Sequence, residues 1–167
     1  MGNISRHDGL NPGGINFLDW AFTEDVSGMN FLGTSLFCQV ALKPGRQWNR
    51  VYGTPETIQL ESEQQETPSG IKYLYKLKVL VPKDRAAVES ELRKMAGRKL
   101  LLMVEDKNGT ARYFGTMDTP MKLLSRLMKP SAIESFNGYE LTFIGQFSSP
   151  AAFRIPSGGI PGGGLEE

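Results

Sequence analysis

KLLLMVEDKNGTARYFGT, residues 99–116, is the clearest local structure in the chain. Leu100, Leu101, Leu102, Met103 and Val104 form an apolar run of strand length, Asp106, Lys107, Asn108 and Gly109 supply a reversal, and Arg112, Tyr113 and Phe114 start a return strand. Asn-Gly is a strong hairpin signal, because both central residues of a type I′ turn need positive φ. An earlier stretch, SLFCQVALKPGRQWNRVYGT at 35–54, has the same plan, with Lys43, Pro44 and Gly45 at the turn. Arg50-Val51-Tyr52-Gly53-Thr54 answers Arg112-Tyr113-Phe114-Gly115-Thr116. The pattern predicts an internal duplication with halves at 35–81 and 99–147, each a hairpin, a variable connection and a long closing strand.

The closing strands are read from alternation. In the first, Ile71, Tyr73, Tyr75, Leu77, Val79 and Val81 share one face, while Lys72, Leu74, Lys76, Lys78 and Leu80 share the other. One face is core. Lys72, Lys76 and Lys78 form a basic row opposite it, either keeping that face wet or meeting phosphate or acidic groups of a partner. In the second, after Asn137-Gly138, Tyr139, Leu141, Phe143 and Phe147 alternate with Glu140, Thr142, Ile144 and Gln146. Between the halves, Asp84 is placed to cap a helix over 84–96, with Val88, Leu92 and Met95 at helical spacing and Gly97 at its end. The connection 56–70, carrying Glu61, Glu63 and Glu66, reads as a projecting hairpin or loop; its counterpart at 117–135 leans to strand, with Met121 and Leu124 as interface candidates.

Residues 1–34 scatter Phe17, Trp20, Phe22 and Phe31 among Gly, Asn, Asp and Ser without a sustained period. Either a coil packed on its own domain or an arm docking its aromatics on a neighbouring subunit fits this composition. The expected organisation is an N-terminal arm at 1–34, a β-rich domain at 35–153 and a Gly/Pro-rich tail at 154–167. The expected fold is α+β, predominantly β: an antiparallel sandwich or distorted barrel from two related halves with one packed amphipathic helix.

The chain has 167 residues, enough for one well-buried domain, and 19 basic against 18 acidic side chains, so no general polyanion-binding field is expected. One cysteine, Cys38, and one histidine, His7, exclude an internal disulfide and leave a Cys/His zinc site short of ligands. Cys38 and Trp48 are expected to pack. No apolar run is long enough to span a bilayer and residues 1–6 lack the order of a signal peptide, which predicts a soluble protein made in a reducing cytoplasm. No phosphate-binding glycine loop or nucleophile constellation is legible, so no catalytic residue, metal or cofactor is assigned.

With these residues in place, the sequence resembles small virion proteins of tailed phages and prophages, particularly those of Bacteroides-type bacteria. The resemblance covers residues 71–153 and lies in Asn108-Gly109-Thr110, Gly115-Thr116 with Pro120, Asn137-Gly138-Tyr139 leading into Leu141-Thr142-Phe143, and Pro150-Ala151 near Phe153. It implies a tail or neck component (tube, terminator or baseplate hub) that assembles into a ring or tube around the DNA path. The implied partners are copies of itself and other virion proteins, with DNA only as passing cargo and no membrane. The implied location is the virion, after assembly in the bacterial cytoplasm. Candidate interface residues are Phe17, Trp20, Phe22, Phe31, Glu61, Glu63, Met121 and Leu124. The alternative is a small β-rich module binding nucleic acid or an acidic protein through Lys72, Lys76 and Lys78.

Overall fold

The computed structural model describes residues 13–32, 36–130 and 136–156. Among them β1 (Ile15–Phe22), β2 (Val26–Leu32), β3 (Phe37–Leu42) and β4 (Asn49–Arg50) precede β5 (Gln59–Thr67) and β6 (Gly70–Pro82). After α1 (Ala86–Met95) come β7 (Leu100–Asp106), β8 (Ala111–Phe114), β9 (Lys122–Met128), β10 (Gly138–Phe147) and β11 (Ala152–Arg154). They form a seven-stranded sheet, β2-β3-β11-β8-β7-β1-β4, and a four-stranded sheet, β5-β6-β10-β9. The two pack together as a predominantly β, α+β sandwich with no closed barrel.

The opening stretch lies inside the larger sheet. Leu100 to Val104 are all buried, because β7 has β1 and β8 on its two sides and apolar cover on both faces. The reversal is closed by the Gly109 amide donating to the Asp106 carbonyl (3.0 Å), with Gly109 in the left-handed region (φ 76); Asn108 does not adopt positive φ, so the expected type I′ turn does not form. The Asp106 side chain explains the choice: its Oδ1 accepts from the Asn108 and Thr110 amides, both at 2.9 Å.

The first copy of the hairpin does not form. β3 pairs antiparallel with β2 and, through Phe37 and Arg154, parallel with β11, whereas β4 pairs with β1. Two local causes separate it from the second copy. Residues 26–32 offer β3 an adjacent antiparallel partner, and Arg50 is drawn to Asp19 of β1 by a bidentate ion pair (2.8 and 3.0 Å). The later parts of the two halves do correspond: hairpins β5–β6 and β9–β10 meet across β6 and β10, with ten Cα pairs from Gly138↔Pro82 to Phe147↔Tyr73.

The expected arm is also corrected over Ile15–Leu32, which is two strands of the large sheet. Leu18, Trp20 and Ala21 are buried and β1 runs in register with β7 from Phe17↔Glu105 to Phe22↔Leu100. Residues 1–12 and 33–34 of the expected arm and 157–167 of the expected tail lie outside the described residues; the last described strand, β11, ends at Arg154. In the smaller sheet Tyr75, Leu77, Val79, Val81, Tyr139, Leu141, Phe143 and Phe147 face the core as alternation predicts, and Tyr75 meets Phe114 edge to face across the sandwich (5.6 Å).

Helix α1 buries Leu92 and Met95 and ends at Gly97 (φ 72) as read. Its N-cap position is Arg85, and Asp84 does not cap it: the carboxylate accepts from Tyr139 Oη (2.7 Å) and pairs with Lys129 (2.5 Å), tying the start of the helix to β10 and the end of β9. Gly138 permits a close approach at that corner, since a Cβ there would sit 2.2 Å from the Val81 carbonyl oxygen.

Candidate assembly interface

The smaller sheet has one buried and one open face. Its rows across the open face follow from register: Glu61, Lys76, Ile144 and Lys122 in one, Gln59, Lys78, Thr142 and Leu124 in the next, then Leu80, Glu140 and Arg126. The basic row therefore stands among carboxylates. Lys78 pairs with Glu140 at 2.7 Å and Lys76 with Glu61 at 3.7 Å, so two of the three lysines proposed for a polyanion have acidic partners.

Among the described residues no further strand pairs with either border of this sheet. β5 has nine residues and β9 seven, each paired on one side only, so every second residue points its backbone N–H and C=O outward without a strand partner. The borders carry opposite charge. QLESEQQET holds three glutamates and no basic residue; KLLSRLM holds Lys122 and Arg126 and no acidic residue. The β5–β6 hairpin turns across Pro68 and Ser69, and its far end is exposed on both strands, from Glu61 to Glu66 and at Ile71.

The larger sheet contributes an apolar corner. Phe31, Leu32, Leu36 and Phe37 are 36–47% exposed at one end of the β2–β3 hairpin, held from beneath by the edge-to-face contact of Phe31 with buried Phe153 (4.9 Å). Leu32 and Phe37 oppose each other in register, Phe31 and Leu36 flank them, and four exposed apolar residues at one strand end are more than the single ones an ordinary surface carries.

The eight candidate interface residues divide by position. Phe31, Leu124, Glu61 and Glu63 are exposed. Phe17 and Phe22 are half-buried, each beneath a guanidinium, Arg50 at 4.3 Å and Arg98 at 3.3 Å from the ring centroid. Trp20 and Met121 are buried in the subunit's own core, which removes them from any face offered to a neighbour. Cys38 is fully buried and burial pushes its thiol up to about 11, so it packs as an apolar group. Trp48 stacks on Tyr113 (5.5 Å, 19°).

Sequence reading missed the groove beside Trp48. About 1200 Å³ in volume, it runs between β1, β4 and α1 and is lined by Trp20, Trp48, Val81, Leu92 and Met95, with Arg50 and Arg85 among its polar residues. Asp19 sits at its base, 5% exposed and clamped by Arg50, whose own pKa rises chiefly through that hydrogen bond. Only the Arg-aromatic-Gly-Thr repeat had marked Arg50, and that signal pointed to the wrong partner strand.

Among the described residues no three His, Cys, Asp or Glu side chains gather to hold a metal, and no helix is long and apolar enough to cross a membrane. Comparison with family models, curated proteins and solved structures finds no match for this chain.

Proposed function

We propose that this chain is a non-enzymatic structural protein of a phage tail or phage-tail-like particle, self-assembling into a ring or tube around a DNA path. The virion-protein resemblance supplies the context. The observation that carries the assembly is the four-stranded sheet open at both borders: its strands alternate in direction, so β9 of one copy meets β5 of the next antiparallel when copies are related by rotation about an axis along the strands. Such a contact joins two different surfaces and is heterologous, the kind that closes rings or propagates as tubes. The apolar corner at Phe31, Leu32, Leu36 and Phe37 provides a second patch, suited to stacking rings or to another virion protein.

Light scattering behind size exclusion across a hundredfold concentration range, followed by negative-stain microscopy, tests the reading. Rings or tubes growing with concentration are expected. A monomer at every concentration that retains DNA with steep salt dependence overturns it in favour of the nucleic-acid-binding module.

A further inference from the structure

We infer that the joint between copies is a single antiparallel pairing of β5 with β9 of the next copy, centred on Ser62 opposite Ser125 and selected by charge; this rests on the self-assembly reading above. The partner is a second copy of this chain because the two borders complement each other and neither complements itself. β5 against β5 would oppose three glutamates to three, and β9 against β9 would oppose Lys122 and Arg126 to their own kind. Only the mixed pairing brings acid to base.

Register follows from the two faces. A continuous sheet keeps open face with open face, so odd-numbered residues of β5, which align with even-numbered residues of β6, must meet even-numbered residues of β9. Of the registers this allows, one satisfies both faces together. It sets Glu61 opposite Arg126 and Gln65 opposite Lys122, with Glu63 diagonal to both cations. On the core side it sets Leu60 opposite Leu127, Ser62 opposite Ser125 and Gln64 opposite Leu123. Leu127 supports the choice: it lies on the core side, opposite buried Tyr139, yet is 46% exposed at the border of its own subunit. Leu60 of the next copy, half-buried and apolar, covers it. The cations at the border are available, since neither Lys122 nor Arg126 has an ion pair among the described residues.

The test uses the full chain in two charge-reversed forms, one with Glu61→Arg and Glu63→Arg, the other with Lys122→Glu and Arg126→Glu. All four positions are exposed, and circular dichroism verifies that both forms fold. Each form alone opposes like charges at the joint and should need about tenfold more protein to assemble. Their equimolar mixture offers basic β5 to acidic β9 and acidic β5 to basic β9, and should assemble as the parent does. Variants that assemble alone like the parent, or a mixture no better than its parts, overturn this joint while leaving self-assembly standing; a parent that never assembles overturns both. Register is read with Leu60→Cys combined with Leu127→Cys, which oxidises to a ladder of covalent oligomers when the two side chains oppose each other across copies. Cys38, fully buried, does not compete. Assembled particles without that ladder overturn the register.

Discussion

The two sheets are built from similar alphabets and do different work. In the seven-stranded sheet β7 is buried on both faces along Leu100 to Val104, and its neighbour β1 buries even Asp19. In the four-stranded sheet β6 and β10 bury one face only, and the outer strand β5 buries no residue. A layer closed on both sides stabilises the fold, whereas a half-open layer leaves backbone groups and charges of opposite sign exposed at its two borders. Edge strands are ordinarily shielded by charges that repel further pairing. Here the charges differ from one border to the other, which discourages like edges and permits unlike ones.

The largest break in the comparison comes from removing residues 1–32. This strips β1 and β2 from the large sheet and uncovers β7, so loss of the cooperative thermal transition and of near-ultraviolet dichroism is expected. A truncation that melts cooperatively would return this segment to the role of an accessory arm.

Single truncations sharpen the contrast. Leu102→Ala, at a residue with no exposed surface in β7, should cost about 2–5 kcal/mol in denaturant unfolding. Next in size is Arg50→Ala, which leaves Asp19 buried and unpaired; about 2–3 kcal/mol is expected, recovered in part by Asp19→Asn in the same chain. Leu124→Ala, 56% exposed on the open face of β9, should stay within about 0.5 kcal/mol.

The smallest effect is alkaline. Burial pushes the Tyr113 phenol up to about 12, and the hydrogen bond to Asp84, then burial, pushes Tyr139 to about 12, both from an ordinary 10. A folded-state value above the unfolded one favours the neutral phenol, so this stabilisation is intact below pH 10 and is lost as pH rises towards 12. Tyrosinate absorbance should lag behind that of free tyrosine over that window and appear as the melting temperature falls. Tyr139→Phe should remove part of the lag.

What the sequence disclosed tracks how local the determining contacts are. β6 and β10 alternate cleanly because each has one wet and one dry face, and the β7–β8 turn carries its own Asp106 and Gly109. β1 was illegible for the opposite reason: Leu18, Asp19, Trp20 and Ala21 are all buried, so alternation vanishes, and the charge that justifies Asp19 is supplied by Arg50. The first hairpin failed as a reading because a turn at Lys43, Pro44 and Gly45 is real (the Arg46 amide donates to the Lys43 carbonyl, 3.0 Å), yet the chain beyond it leaves for another strand. Of the candidate interface, the glutamates of β5 and Leu124 were legible. The basic border at Lys122 and Arg126 was not, since only strand order sets it across the sheet from β5.

The pairing of Leu18 with Val104 and of Phe37 with Arg154 also sets a timetable. As the nascent chain emerges, β2 can pair with β3, and β5 with β6 across Pro68 and Ser69, at once, while β1 must wait for β7 and the Phe37 end of β3 for β11. Each layer thus has one pairing of chain neighbours at hand early, but the closed layer cannot be completed until β7, β8 and β11 are made. Three glutamates on β5 oppose pairing of that border with its own kind while β9 is still unmade.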